Sequence, residues 1–206
     1  MTANLPNILT ASRIAAIPVL TALFFVEGDT ARWTALAVFA LAALTDYLDG
    51  YLARARHWQS KLGQFLDPVA DKLLIASVIF LLAAFDRIGG FAILMALIIL
   101  CREILISGLR EYLAQSAVEV PVSALAKWKT AIQMLAMGFL IVGDAAPWAQ
   151  ARLLGEIGLT AAAVLTLVTG YAYLRGAIGH MRSQTGCGEE SEAEEKPDPR
   201  PVTRPG

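Results

Sequence analysis

The stretch "LTDYLDGYLARARHWQSKLGQFLDPVADKLL", residues 44–74, places four aspartates, two glycines and several cations between long apolar segments. The chain around it has 206 residues, of which 56% are hydrophobic and 17% charged. This composition is typical of membrane proteins, because a soluble chain of this length normally shows polar faces between its apolar stripes. Any proposed function must therefore account for the many carboxylates at the ends of these apolar segments.

Apolar runs recur along the whole chain outside this stretch. They cover 8–26, 33–44, 73–85, 88–101, 132–142 and 153–174. With their mildly polar flanks, they approach the roughly 20 residues that a bilayer-spanning helix needs. Because backbone groups in lipid must be hydrogen-bonded internally, we predict an all-α fold, a polytopic membrane bundle of six transmembrane helices.

The distribution of cations predicts the orientation of this bundle. Of 17 Lys and Arg residues, only Arg32, Arg87 and Arg152 fall in the first, third and fifth connections. By the positive-inside rule, both termini and the aspartate-rich stretch face the cytoplasm, and we expect a bacterial inner membrane. The first apolar run contains Arg13 and ends without a small-residue cleavage site, so we interpret it as a retained helix rather than a signal peptide.

The composition changes near the C-terminus. We assign residues 1–182 to one membrane domain and 183–206 to a cytoplasmic tail that is acidic and then Pro-rich. The tail has little to bury, so disorder is the expectation, with an electrostatic partner role as the alternative. The two cysteines, Cys101 and Cys187, suggest no disulfide framework.

Helical spacing brings the carboxylates together. The second helix should cover about 32–54, where Asp46 and Asp49 are three residues apart on one face. The third helix should begin near Gly63 and continue through Pro68. Both helices would then present acids at the cytoplasmic side of the bundle.

In the third helix, Gly63, Asp67 and Asp71 are spaced by four and form one stripe. Four converging carboxylates repel one another, and divalent metal is the most economical compensation. Mg²⁺ or Mn²⁺ prefers carboxylate oxygens and leaves positions open for phosphates, and two such ions could bridge a diphosphate. Gly50 and Gly63 would let a nucleotide approach the helices, and Arg54 would contact phosphate. The alternative is a set of interfacial salt bridges with the cations nearby: Arg54, Arg56, Lys61 and Lys72.

The motif as a whole resembles the signature of the CDP-alcohol phosphatidyltransferases. It matches D-x-x-D-G-x-x-A-R, then eight residues, then G-x-x-x-D-x-x-x-D, with no departure at Asp46, Asp49, Gly50, Ala53, Arg54, Gly63, Asp67 and Asp71. The resemblance implies six transmembrane helices, usually in a homodimer, two divalent cations at the cytoplasmic interface, and displacement of CMP from a CDP-linked lipid by an alcohol.

The same resemblance assigns roles to individual residues. Asp46, Asp49, Asp67 and Asp71 would be metal ligands, and Asp71 would also be the base that deprotonates the acceptor hydroxyl. The positions implied to line the CDP-lipid site are Gly50, Ala53, Arg54 and Gly63. Thr10 lies one helical step from Arg13 near the N-terminus and could close the polar site from another side.

Further polar residues bear on the acceptor. In "REILISGLRE", Glu103, Ser107 and Arg110 form a polar stripe on an otherwise apolar helix, and Lys127 and Lys129 follow at the start of the fifth helix. Cations beside a metal site suggest an anionic acceptor, whereas anchoring of helix ends by the positive-inside rule is the alternative.

These stretches, together with "NLPNILTASRIAAIPV" and "FLDPVADKLL", resemble family members that transfer the phosphatidyl group of CDP-diacylglycerol to sn-glycerol 3-phosphate. The alternative for Arg13 is snorkelling to the membrane surface. The candidates for the acceptor phosphate are Ser107, Arg110, Lys129, Arg102, Lys127, Arg175 and Arg13.

Other functions remain open at this point. Members of the family could instead use inositol phosphate, serine or a second phosphatidylglycerol as acceptor. Intramembrane prenyltransferases also bind diphosphate through aspartates and Mg²⁺, but lack the glycine and Ala-Arg positions. A divalent-cation transporter would place its acids near the middle of helices, whereas these lie at one end. We predict membrane lipid as a partner and no nucleic acid.

Overall fold

The computed structural model describes residues 5–56, 61–115, 124–147 and 150–194, and all regular structure in these ranges is helical. The prediction of an all-α chain with six long helices is confirmed for these residues. A short 3-10 turn, Gly143–Ala145, precedes the last helix. The helices are α1 (Leu5–Phe25), α2 (Asp29–Arg56), α3 (Lys61–Ala84), α4 (Phe91–Gln115), α5 (Ala124–Val142) and α6 (Ala151–Glu194).

The two helices that carry the aspartate motif have the form that the spacing predicted. α2 spans the whole of the expected segment, and α3 begins at Lys61 and continues through Pro68. Proline cannot donate the hydrogen bond one turn back. Packing holds the helix beyond it, since Ala70 and Leu74 are fully buried.

One hydrophobic core takes side chains from all six helices. α1 packs against α2 and α3, α5 against α2 and α6, and α4 against α3 and α6. The helices therefore form a closed ring in the order α1, α2, α5, α6, α4, α3. Fully buried members of the core include Leu20, Leu74, Ile99, Met137, Leu140 and Leu159. This order places α3, α4, α5 and α6 around one side of the bundle, where the polar residues of α4 lie.

Glycines allow α5 and α6 to approach closely. A Cβ atom at Gly155 would lie 2.6 Å from Leu140 Cγ and 3.1 Å from the Ala136 carbonyl oxygen. A Cβ atom at Gly158 would lie 3.0 Å from Ala136 Cβ. Small residues one turn apart are a common way for helices to pack without a hydrophobic driving force between them. The α5–α6 contact therefore depends on the absence of side chains at these two positions.

Arg32 of α2 and Arg87 of the α3–α4 connection bind the C-terminal end of α5. Arg87 Nη1 donates to the Ile141 carbonyl at 2.6 Å, and Arg32 Nη1 donates to the Val142 carbonyl at 3.3 Å. Burial lowers the pKa of Arg87 to about 10, and the charge of Arg32 acts in the same direction while Asp144 opposes it. Arg87 still carries its charge at neutral pH, and cations are favourable at a helix C-terminus.

Length and composition make two of the described helices suitable for crossing a membrane. Phe91–Glu111 has a mean hydropathy of 2.2 and Ala151–Arg175 of 1.7, while Thr10–Phe25 is shorter but apolar. The number of helices is confirmed, and membrane crossing by all six stays a prediction. α6 continues as far as Glu194, beyond the start of the proposed tail at Ser183. The division into a bundle and a tail stays a prediction from composition.

We predict that Gly155→Leu destabilises the protein, because the new side chain would enter the space of Leu140. Overpacking of this kind costs about 1–3 kcal/mol. Thermal unfolding of the purified protein in detergent should show a lower midpoint.

Gly108→Ala is the matched control, since a Cβ there meets nothing within 4 Å and the position is also helical. Alanine favours helix over glycine, so the control should unfold at the wild-type temperature or above. An unchanged midpoint for Gly155→Leu would contradict the close α5–α6 contact.

Candidate active site

The backbone is helical at each of the eight fixed positions of the aspartate motif, five on α2 and three on α3. Positions 46 and 49 therefore lie about one turn apart on α2, and positions 63, 67 and 71 form one stripe on α3. Asp71 is the only motif residue whose side chain the structure describes. The side chains that lie outside the described residues are those of Asp46, Asp49, Ala53, Arg54, Asp67 and Lys127, together with the surroundings of Gly50 and Gly63. Their assigned roles stay predictions.

Asp71 lies partly buried at the start of a chain of ionic contacts. Its Oδ2 accepts a hydrogen bond from Lys72 Nζ at 3.2 Å. The same ammonium donates to Glu103 Oε2 at the shorter distance of 2.7 Å. Lys72 thus connects the predicted catalytic carboxylate of α3 to a carboxylate of α4.

Glu103 is the centre of this ionic cluster. It is only 7% exposed and contacts cations from three helices. Its Oε1 accepts hydrogen bonds from Lys129 Nζ of α5 and from Arg102 Nη1, the latter at 3.2 Å. Lys129 is itself only 3% exposed. A buried charge requires partners, and each of these charges finds them within the cluster.

Arg102 extends the cluster to α6. Its Nη2 donates to Thr169 Oγ1 at 3.0 Å. The next residue, Gly170, leaves room for the arginine stem, since a Cβ atom there would lie 3.2 Å from Arg102 Cγ and Nε. Side chains from α3, α4, α5 and α6 therefore meet in one connected set of contacts.

The cluster has a positive balance. Two carboxylates, Asp71 and Glu103, face three cations, Lys72, Arg102 and Lys129, which leaves one net positive charge by count. The burial of Glu103 and Lys129 weakens the screening of this charge by water and salt. The described part of the cluster therefore favours a nearby anionic group.

The remaining predicted acceptor residues differ in position. Ser107 is partly buried, whereas Arg110 and Arg175 are exposed, and the Arg110 guanidinium lies 5.8 Å from the centre of the Tyr173 ring. Of the predicted acceptor residues, the described contacts join Arg102 and Lys129 to Asp71.

On α1, Thr10 and Arg13 are both 1% exposed. The snorkelling alternative for Arg13 is therefore wrong, because its guanidinium lies inside the bundle and does not reach the surface. Both side chains form interactions within the protein.

Reasoning from the sequence missed several polar residues of this region. Lys72 was considered only as a salt-bridge partner, Glu103 only as part of a stripe, and Thr169 not at all. Gln133, one turn from Lys129 on α5, and Thr166 on α6 are also fully buried. Their side-chain polar atoms have no hydrogen-bond partner among the described residues. The available signal was that each is a polar residue inside an apolar run, which is costly in a membrane protein.

Comparison with known proteins agrees with the motif. The family model for the CDP-alcohol phosphatidyltransferases matches residues 3–169. A CDP-diacylglycerol–glycerol-3-phosphate 3-phosphatidyltransferase of Rickettsia bellii is 46% identical over 173 residues, which is 84% of this chain and 94% of the relative. A protein of the same name from Pseudomonas fluorescens is 40% identical over 183 residues, 87% of this chain and 93% of the relative.

A third relative carries a different name. A cardiolipin synthase (CMP-forming) of Oryza sativa subsp. japonica is 40% identical over 149 residues, 67% of this chain and 45% of the relative. All three alignments cover at least two thirds of this chain. With an eight-position signature on α2 and α3 and a family model that matches most of its length, the chain belongs to the CDP-alcohol phosphatidyltransferase family.

Proposed function

We propose that this chain transfers the phosphatidyl group of CDP-diacylglycerol to sn-glycerol 3-phosphate and releases CMP. The observation that carries this proposal is the contact chain from Asp71 through Lys72 to a buried cationic cluster. It places a carboxylate that can accept a proton beside positive charge that suits an anionic acceptor. The names of the Rickettsia and Pseudomonas relatives support the same pair of substrates.

The reaction is a direct displacement at phosphorus. The acceptor hydroxyl oxygen forms a bond to the phosphorus of the phosphatidyl group, the bond from that phosphorus to the CMP oxygen breaks, and CMP leaves. Asp71 takes the hydroxyl proton as the attack proceeds. Lys129 and Arg102 hold the acceptor phosphate, with Ser107, Arg110, Lys127, Arg175 and Arg13 as further candidates. No covalent enzyme intermediate is needed.

The residues present fit two divalent cations, Mg²⁺ or Mn²⁺. Four carboxylates at one-turn spacings supply the hard oxygen ligands that these ions prefer. Oδ2 of Asp71, the one of these carboxylates whose side chain the structure describes, accepts a hydrogen bond from Lys72. Asp46, Asp49, Asp67 and Asp71 would hold the ions, which when bound would neutralise diphosphate charge.

The donor lipid would lie next to these carboxylates. Gly50 and Gly63 offer backbone without side chains, where the cytidine and diphosphate could approach α2 and α3. Arg54 would bind a phosphate oxygen. Ala53 and Thr10 complete the proposed CDP-lipid site, Thr10 from α1, which packs against both helices.

All six helices would cross the bacterial inner membrane, with both termini and the site at the cytoplasmic face. Every helix leaves large apolar side chains exposed, which is typical of a surface covered by lipid. A homodimer, as in the family, would cover part of this surface. The exposed apolar side chains, one or two from each helix, include Val19, Phe25, Leu41, Phe80, Leu97, Ile104, Leu135, Ile157 and Val168.

Asp71→Asn should abolish turnover while leaving the protein folded, because the carboxamide cannot accept the hydroxyl proton. We expect CMP release to fall about 100-fold or more. The assay is CMP formation by purified protein in lipid or detergent with CDP-diacylglycerol and sn-glycerol 3-phosphate, with thermal unfolding measured in parallel.

Asp86→Asn is the matched control, an exposed aspartate beyond the other end of α3. Its φ of 53° is tolerated by asparagine, so full activity is expected. Wild-type CMP release from folded Asp71→Asn protein would refute the assignment of the base.

EDTA should stop CMP release, and excess Mg²⁺ or Mn²⁺ should restore it, because the carboxylates alone repel a diphosphate. The measurement is the same assay after chelation and readdition of each metal. Activity that persists through chelation and dialysis would show that the aspartates act without metal.

The second candidate is a transfer to phosphatidylglycerol, which the name of the rice relative suggests. Running the assay with glycerol phosphate, inositol phosphate, serine or phosphatidylglycerol separates the acceptors. Release only with glycerol phosphate supports the proposal. Release with inositol phosphate or phosphatidylglycerol keeps the displacement but overturns the choice of acceptor. Release with serine also overturns the role of Lys129 and Arg102 in binding a phosphate, and release with none favours the transporter alternative.

A further inference from the structure

We infer that Glu103 is a positioning residue that holds Lys129 and Arg102 in place for the acceptor phosphate. This inference rests on the proposed function and adds a residue that the signature does not contain. Glu103 itself would touch neither substrate. Its effect would pass through the cations that it binds.

The two oxygens of the Glu103 carboxylate bind different cations. Oε1 accepts from Lys129 and Arg102, which belong to α5 and α4. Lysine and arginine side chains are long and flexible, and a shared buried anion fixes their ammonium and guanidinium groups at one point. Catalysis depends on such fixed geometry, since a small misplacement is costly.

Oε2 acts on the other side of the site. Lys72 Nζ lies 2.7 Å from Glu103 Oε2 and 3.2 Å from Asp71 Oδ2. The shorter contact holds the ammonium on the side of Glu103. This contact ties the carboxylate of Glu103, and with it Lys129 and Arg102, to α3.

A purely structural role would predict a different pattern of kinetic effects. Loss of a structural ion pair lowers the unfolding temperature and the amount of active enzyme, without favouring one substrate. A positioning role raises the KM for glycerol phosphate and lowers kcat, while the KM for CDP-diacylglycerol stays the same. The two KM values are expected to respond differently because the cations of the cluster lie on α3, α4 and α5, whereas most of the predicted CDP-lipid site belongs to α2.

The test compares Glu103→Gln with wild type in the CMP-release assay, varying each substrate separately. We expect the KM for sn-glycerol 3-phosphate to rise roughly 10- to 100-fold, with the KM for CDP-diacylglycerol within about twofold of wild type. Titration calorimetry with sn-glycerol 3-phosphate should show the same loss in affinity without turnover. Glu103→Asp, which keeps the carboxylate on a side chain one methylene shorter, should recover part of the affinity for sn-glycerol 3-phosphate.

Two controls separate positioning from general damage. Glu156→Gln removes an exposed carboxylate that pairs with Arg152 at 3.3 Å, away from the cluster, and should leave both KM values unchanged. In a double-mutant cycle, Lys129→Gln combined with Glu103→Gln should raise the acceptor KM by less than the product of the single effects. If Glu103→Gln does not fold, Glu103→Asp must show the same selective rise in acceptor KM.

Each outcome decides the inference. An unchanged or lowered acceptor KM in folded Glu103→Gln, or equal changes in both KM values, overturns it while the wild-type activity keeps the proposed function. Independent effects in the double-mutant cycle also overturn it. Wild-type protein that releases no CMP with glycerol phosphate overturns both.

Discussion

The buried carboxylate of Glu103 is the constraint on which the polar half of this bundle depends. Three cations from α3, α4 and α5 meet at its two oxygens, and Arg102 continues the contact to Thr169 of α6. Removing one partner of such a buried pair costs about 3–5 kcal/mol, because the other charge stays buried without compensation. The relative positions of four helices are therefore tied to one side chain, in addition to the apolar core.

The cationic side chains have different partners at the two ends of the bundle. At the end where α5 terminates, Arg32 and Arg87 bind the carbonyl oxygens of Val142 and Ile141. At the opposite end, cations bind carboxylates, and the described residues of the cluster carry one net positive charge by count. Arg32 and Arg87, which are exceptions to the positive-inside pattern of the sequence, thus have a structural use in satisfying the last turn of α5.

The sequence predicted the helices better than it predicted their contacts. Apolar runs and one-turn spacings were sufficient for α2 and for α3 through Pro68, because these features are local. The stripe on α4 was predicted as a unit, yet in the structure Glu103 is buried while Arg110 lies outside and faces Tyr173. Periodicity places residues on a face, but the neighbouring helices decide how deeply each residue is buried.

The contacts of Lys72 and Lys129 with Glu103 could not be predicted from spacing, because they join residues that are 31 and 26 positions apart. The eight-position signature identified the family by resemblance, and the family model confirms it. The general rule that buried charges require partners could have singled out Glu103, an acid that follows a long apolar run in α4. The family was thus predictable from the sequence, whereas the long-range contacts of Glu103 were not.

The shared anion also has an evolutionary consequence. A lysine or arginine of this cluster cannot change alone without altering the environment of the other two, so substitutions at these positions are energetically coupled. A replacement of one of these three cations would therefore favour compensating replacements on the other two helices, although the positions lie far apart in the sequence.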